Sequence, residues 1–286
     1  MKTEGRVLSK CGWQHGLTLI EIMVALLIGS FLLAGVIQIF IVNKQTYRVQ
    51  ENLSRMQENG RFSIDYLNRY IRLSGYIANE PFLDIKNKNQ NKRGTLTSEI
   101  FPPTNPAITG INDNPASLND SDSITIRFQG NPAYNPMTDC LGNVINSPNG
   151  NVIATNQFLI PTGLQDNNLY CITVHNTATG AVVAGSAQTQ PVIEGVENMQ
   201  IRYCMRTSIP NNFSCVAANN VTNWSAVQNV RISLLVRSSD DNLVNQSQSY
   251  QFDTDGDGVD ETITPTDRRL RRVFTTTITL RNLLVN

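Results

Sequence analysis

The 26 residues from Leu17 to Val42 are almost wholly apolar, and this run limits what the chain can become more than any other feature. As a helix rising about 1.5 Å per residue, they cover roughly 39 Å, enough to cross a bilayer core with some tilt. Residues 1–16 ahead of them are polar and carry Lys2, Arg6 and Lys10 against a single acid, Glu4. A basic flank before an apolar span keeps the N-terminus cytoplasmic and exports the C-terminal bulk of the chain. A secretory signal would have a shorter apolar core and a small-residue cleavage site. Ser30, Ala34 and Gly35 offer weak sites of that kind, but the run continues past them through Val36, Ile37, Ile39, Phe40 and Ile41.

Glu21 is the discordant residue in this run. A carboxylate inside an apolar span costs about 2.5–3.5 kcal/mol on insertion scales, and such residues usually have a partner. No cation lies at helical spacing within the span. A cut after Gly16 would supply one, because the new α-amino group of Leu17 would stand four residues before Glu21. That amine could pair with its own Glu21 or with that of a neighbouring subunit. The plainer alternative is an uncut signal anchor with a Glu near the membrane interface.

The helical pattern continues past the span. Val49, Leu53, Met56, Gly60, Ser63, Leu67 and Ile71 recur at spacings of three and four, with charged residues on the other faces. This predicts an amphipathic helix with one apolar face. No proline interrupts Leu17 to Tyr76, Gly75 is placed for a left-handed cap, and Pro81 comes six residues later. One helix from about Leu17 to Ser74 is expected. Its second half buries its apolar face on an exported domain or, as an alternative, pairs with another protein as a coiled coil. Gly29, Gly35 and Gly60 read equally as close packing or as points of local melting.

Beyond Pro81 the chain is rich in Asn, Thr, Ser and Gln. Residues 84–122, broken by Pro102, Pro103, Pro106 and Pro115, read as a long loop. Strand-like runs come next at Ser123–Phe128, Gln157–Ile160, Leu169–Val174, Met199–Met205, Val230–Val236 and Val273–Leu280. Val230, Ile232, Leu234 and Val236 alternate with Arg231, Ser233, Leu235 and Arg237, as a strand with one buried face requires. The expected fold class is α+β. A long N-terminal helix, transmembrane in its first half and amphipathic in its second, packs against an antiparallel β-sheet head. The expected segments are 1–16 (leader), 17–42 (transmembrane), 43–76 (amphipathic continuation) and 77–286 (exported head).

Lys+Arg and Asp+Glu both total 23, which gives no support to bulk nucleic-acid binding. The five cysteines form no CxxC pair, and only His15 and His175 could join them on zinc, so nothing points to a Cys/His metal site. Loss of residues 1–16 would remove Cys11 and leave Cys140, Cys171, Cys204 and Cys215, an even set suited to disulfides in an exported domain. Cys204 and Cys215 could close a short loop worth roughly 3 kcal/mol by chain entropy, leaving Cys140 for Cys171. Three connectivities are open.

Gly16-Leu17-Thr18-Leu19-Ile20-Glu21 resembles the prepilin-peptidase motif of type IV pilins. The resemblance implies cleavage after Gly16, N-methylation of Leu17 and a role for Glu21 in registering subunits during filament assembly. Leu17 departs from the Phe that most members carry. Gln57–Gly75, Val196–Tyr203, Trp224 with Val230–Arg237, and Asp267–Asn282 resemble the PilW type of minor pilin, while the loops at about 84–165 do not. The function implied is a minor pilin that primes pilus assembly and bears indirectly on adhesion, motility or DNA uptake. The partners implied are other major and minor pilins, prepilin peptidase, the inner-membrane assembly machinery and, before assembly, membrane lipid. The location implied is a single pass through the bacterial inner membrane with a periplasmic head, then the pilus. Rivals are a minor pseudopilin of type II secretion, an unprocessed signal-anchored periplasmic binding protein and, more distantly, an anchored enzyme.

Only one constellation in the head looks like a metal site. Asp253, Asp255 and Asp257 alternate ahead of Gly258, as at the opening of a calcium loop, with the Val259 carbonyl and Glu261 as further candidate ligands. Thr264 stands at loop position twelve, where a bidentate Glu is usual, which lowers affinity. The competing reading is an acidic hairpin tip. Arg268, Arg269, Arg271 and Arg272 read as a solvated or acid-paired run, or as a partner patch. No GxSxG, HExxH or phosphate-binding Gly-Lys loop occurs, so no enzyme activity is expected. His175 and Trp224 read as structural.

Overall fold

A computed structural model describes residues 16, 18–77, 100–130, 137–145, 152–163, 166–177, 180–207 and 212–283. The first fifteen residues and Leu17, with Cys11 and the methylation position, lie outside the described residues, as do 78–99, which include 84–99 of the predicted loop. The chain divides into two compact units, one ending at Arg48 and the other starting at Val49.

Helix α1 (Leu19–Ile71) belongs to both units. In the first unit its side chains are exposed throughout, with Leu19 at 77% and Phe31 at 72%. In the second, Asn52, Met56, Gly60, Ser63, Leu67, Tyr70 and Ile71 are buried. The expected face is present from Met56 onward. At its start Asn52 is buried while Leu53 is exposed, because a polar loop covers this turn. Asn52 Oδ1 accepts from Asp240 N (3.2 Å) and Ser239 Oγ (3.3 Å). The helix ends through short-range turns, Leu73 N to Tyr70 O and Ser74 N to Ile71 O. Gly75 then takes φ +74°, the left-handed conformation that the sequence predicts for it.

Eleven strands make up the head among the described residues. A meander of β1 (Ile108–Ile111), β2 (Ser123–Gly130), β3 (Val152–Leu159), β4 (Leu169–Thr177) and β5 (Gln188–Ile193) forms a five-stranded antiparallel sheet in chain order. β6 (Val196–Arg206), β7 (Phe213–Val216), β8 (Val227–Arg237) and β11 (Arg271–Thr279) form a second sheet in the order β11-β8-β6-β7. Its register sets Phe274 opposite Leu234 and Ile201 opposite Ile232. β9 (Tyr250–Phe252) and β10 (Glu261–Ile263) form a hairpin of their own. All six strand-like runs are strands, but the antiparallel head has two main sheets, and β1 lies within the stretch expected to be loop.

Both sheets and the second half of α1 share one core. Leu67 and Ile71 of α1 join Ile124, Ile126 and Phe128 of β2, Met199, Ile201 and Tyr203 of β6, and Val230, Ile232, Leu234 and Val236 of β8. A Cβ on Gly60 would overlap the Phe274 ring of β11. Gly60 is therefore a close-packing glycine, whereas Gly29 and Gly35 have nothing within 4 Å. Cys140 is joined to Cys171 and Cys204 to Cys215. The second bridge links directly paired residues of β6 and β7.

Candidate functional site

The start of α1 is built by its own side chains. Thr18 precedes the helix, and its N–H and hydroxyl both donate to Glu21 Oε2 at 3.2 Å. Glu21 N donates back to Thr18 Oγ1 at 3.3 Å. This is a reciprocal capping box, which satisfies helix-end donors and places a carboxylate where the helix dipole favours it. The sequence reading missed Thr18, although Thr-x-x-Glu ahead of an apolar run carries the signal. Glu21 thus has a local partner whether or not the chain is cut at Gly16. The large side chains of the next six turns are exposed, and each forfeits about 1.5–3 kcal/mol if it stays in water. An apolar environment outside the head would recover that loss.

The acidic loop between β9 and β10 is the second candidate. Ligand oxygens of Asp253, Asp255, Asp257 and Glu261 all lie within 4.8 Å of one another. Each Asp commits one oxygen to a loop amide. Asp253 Oδ2 accepts from Gly258 N (2.9 Å), Asp255 Oδ1 from Asp257 N (3.1 Å) and Asp257 Oδ1 from Val259 N (2.7 Å). Gly256 and Gly258 sit at φ +73° and +93°, where a side chain would be strained. Burial raises the Asp253 carboxyl above its usual range, and burial pushes the neighbouring Asp122 up to about 7. An open cleft of about 820 Å³ runs past the loop, lined in part by Asp113, Asp120 and Asp255.

Two sequence families match the chain. The prokaryotic N-terminal methylation motif covers residues 14–37, which include Gly16, Leu17 and Glu21. The family described as Type IV Pilus-assembly protein W covers residues 157–282, the greater part of the head. Over most of its head the chain is similar to the PilW type of type IV pilus-assembly protein, and at its N-terminus it carries the methylation motif. Among solved structures it is similar to a type IV-like pilin from Thermus thermophilus at 11% identity, over 80% of this chain and 99% of that one, with a TM-score of 0.45. It is also similar to a chain in a complex of two pseudopilins from the type 2 secretion system of Vibrio vulnificus, at 12% identity, over 64% of this chain and 96% of that one, with a TM-score of 0.28. Likenesses this loose add nothing to the assignment, which rests on the two sequence families. No curated relative matches the chain.

Other residues singled out in the sequence are engaged inside the head. Arg271 pairs with Glu197 (2.6 Å) and with Asp267 (2.6 Å), and Arg269 Nη1 donates to Ser238 O (3.0 Å). Arg268 donates to Asn242, and Arg272 lies 5.7 Å from the Phe274 ring centroid. The basic run is therefore held largely by acids and carbonyls of the same head. His175 is buried with Nε2 3.0 Å from Asp139 Oδ2. Asp139 also takes hydrogen bonds from Leu141 N, Asn143 N and Thr173 Oγ1. Burial alone would raise the Asp139 carboxyl, but its hydrogen bonds from His175 and Asn143 together hold it below the usual carboxylate range. Trp224 packs edge-on against Tyr203 at 4.8 Å.

Proposed function

We propose that this PilW-type chain is a minor pilin that enters, and helps to prime, a type IV pilus after removal of residues 1–16. The observation that carries this reading is the start of α1. A capped carboxylate at Glu21 lies inside the methylation motif, in the first turn of an apolar helix whose side chains are exposed through Val42. Prepilin peptidase would cut after Gly16 and leave Leu17 to be methylated. The segment would rest in the inner membrane, with the head on the periplasmic side, until it exchanges lipid for the helices of other pilins. Its role is structural: binding energy rather than catalysis does the work. The PilW match favours a pilus over a type II secretion pseudopilus.

Glu21 serves two states in this reading. In the membrane its charge is tied to the Thr18 amide and hydroxyl. During assembly the freed amine of Leu17, on the same or an adjacent subunit, competes for it. Glu21→Ala is therefore expected to be cleaved normally and yet to leave cells with few pili, counted by electron microscopy. Wild-type piliation by Glu21→Ala would contradict the role given to this carboxylate.

A further inference from the structure

We propose that the loop between β9 and β10 binds one Ca²⁺ through Asp253, Asp255, Asp257 and Glu261, with the Val259 carbonyl as a backbone ligand. Four carboxylates converge within 4.8 Å. Calcium–oxygen distances of about 2.3–2.6 Å place ligands on opposite sides of the ion roughly 4.6–5.2 Å apart. A spread of at most 4.8 Å falls within that span, and a loop of carboxylates suits calcium better than Mg²⁺, which demands near-ideal octahedral geometry at about 2.0–2.1 Å and dehydrates reluctantly.

The second observation is independent of the cluster's spacing. Asp253 is 8% exposed, and its Oδ1 is buried without a hydrogen-bond partner. A buried polar atom left unpaired is costly and calls for an explanation. Two more buried oxygens without partners, Gln200 Oε1 and Asn112 Oδ1, lie 3.5 and 3.0 Å from where a Cβ on Gly256 would stand. Gln200 is itself 2% exposed, and its Nε2 donates to Thr254 O at 2.9 Å. The strand β6 thus presents the Gln200 oxygen to the loop at Gly256 and the Arg202 guanidinium to it at Gly258.

Among the described residues, no cation takes the ion's place: no Lys or Arg forms an ion pair with any of the four carboxylates. Arg202 reaches Gly258, but its Nη2 donates to Cys215 O at 2.6 Å. Glu261 Oε2 accepts from Thr254 N and Oγ1, which leaves its Oε1 for the ion. Thr264 does not supply the bidentate carboxylate of a tight calcium loop, so a dissociation constant of about 10⁻⁴–10⁻³ M is expected, the range of extracellular modules. This site stands or falls apart from the pilin assignment, since neither needs the other.

The test is thermal unfolding and calorimetric titration of the full-length protein in detergent micelles, with EDTA, CaCl₂ or MgCl₂. At 10 mM Ca²⁺ the head's Tm should rise by about 3–8 °C over EDTA, with a smaller rise in Mg²⁺. Asp255→Asn and Asp257→Asn, both at exposed positions, should match the wild-type Tm in EDTA and lose the rise. Asp260→Asn, in the same loop but outside the cluster, should keep it. Any of three results would overturn the proposal: no rise and no heat for the wild type at 10 mM Ca²⁺, an equal rise in Mg²⁺, or a full rise in the Asp255→Asn/Asp257→Asn double variant.

Discussion

The two parts of α1 are one continuous helix by backbone and opposites by surface. From Leu19 to Val42 it exposes its Leu, Ile, Val, Met and Phe side chains, whereas Leu67 and Ile71 are fully buried. A buried apolar face has found its partner within the chain. An exposed one has none there; in the function proposed above, lipid covers it before assembly and other subunits afterwards. Stability in the first part therefore depends on environment, while in the second it depends on packing, and substitutions should separate the two.

The sharpest separation is expected at matched leucines. Leu67→Ala should destabilise the head by about 2–5 kcal/mol through the cavity it leaves, whereas Leu26→Ala should leave head stability within about 0.5 kcal/mol. Denaturant unfolding in micelles would measure both, and equal losses would break the contrast. Replacing Cys140 and Cys171 by Ser should cost about 2–4 kcal/mol by the same assay without changing cleavage at Gly16. Gly60→Ala should cost about 1–3 kcal/mol, because its methyl meets the Phe274 ring, while Gly35→Ala should leave the head unchanged.

A smaller effect should appear with pH and only in the second unit. The Asp139 carboxyl is held below its unfolded value by its hydrogen bonds from His175 and Asn143, against the opposing effect of burial. A depressed folded pKa contributes stability that is fully present above the unfolded value of about 3.9 and is lost as pH falls through the folded one. The wild-type Tm should therefore fall more steeply below about pH 4 than that of Asp139→Asn. Parallel slopes would show that Asp139 does not carry this linkage. At the low end, Glu51→Ala removes only an exposed pair with Arg55 and should change stability by about 0.5 kcal/mol or less.

What could be read from the sequence divides along the same line. The apolar span, the amphipathic continuation and six strands arise from local periodicity, which one sequence carries in full. Residues that obey long-range packing were hidden. Asn52 replaces Leu53 on the buried face because a loop some 190 residues away supplies its partners. β5 escaped notice because it is polar and contains Pro191, tolerable because β5 is an edge strand. The acidic tip reads as following a strand at Tyr250, which is β9, but its return strand β10 has three residues, too few for alternation to register. The division of the head into two sheets depends on strand order, which alternation does not encode. The spacing of the acidic loop was visible, but the approach of Gln200, Asn112 and Arg202 to its glycines was not. Thr18 is legible as a capping residue, but the cost of a carboxylate in an apolar span directs attention to a cation for Glu21 rather than to a hydroxyl.

The central claim is that the exposed part of α1 is the assembly helix of a processed pilin, and the N-terminus of the mature protein tests it most directly. Mass spectrometry of the chain from cells with an active prepilin peptidase should find an N-terminal peptide beginning at N-methylated Leu17. A peptide beginning at Met1, or at any residue after Ser30, Ala34 or Gly35, would contradict it.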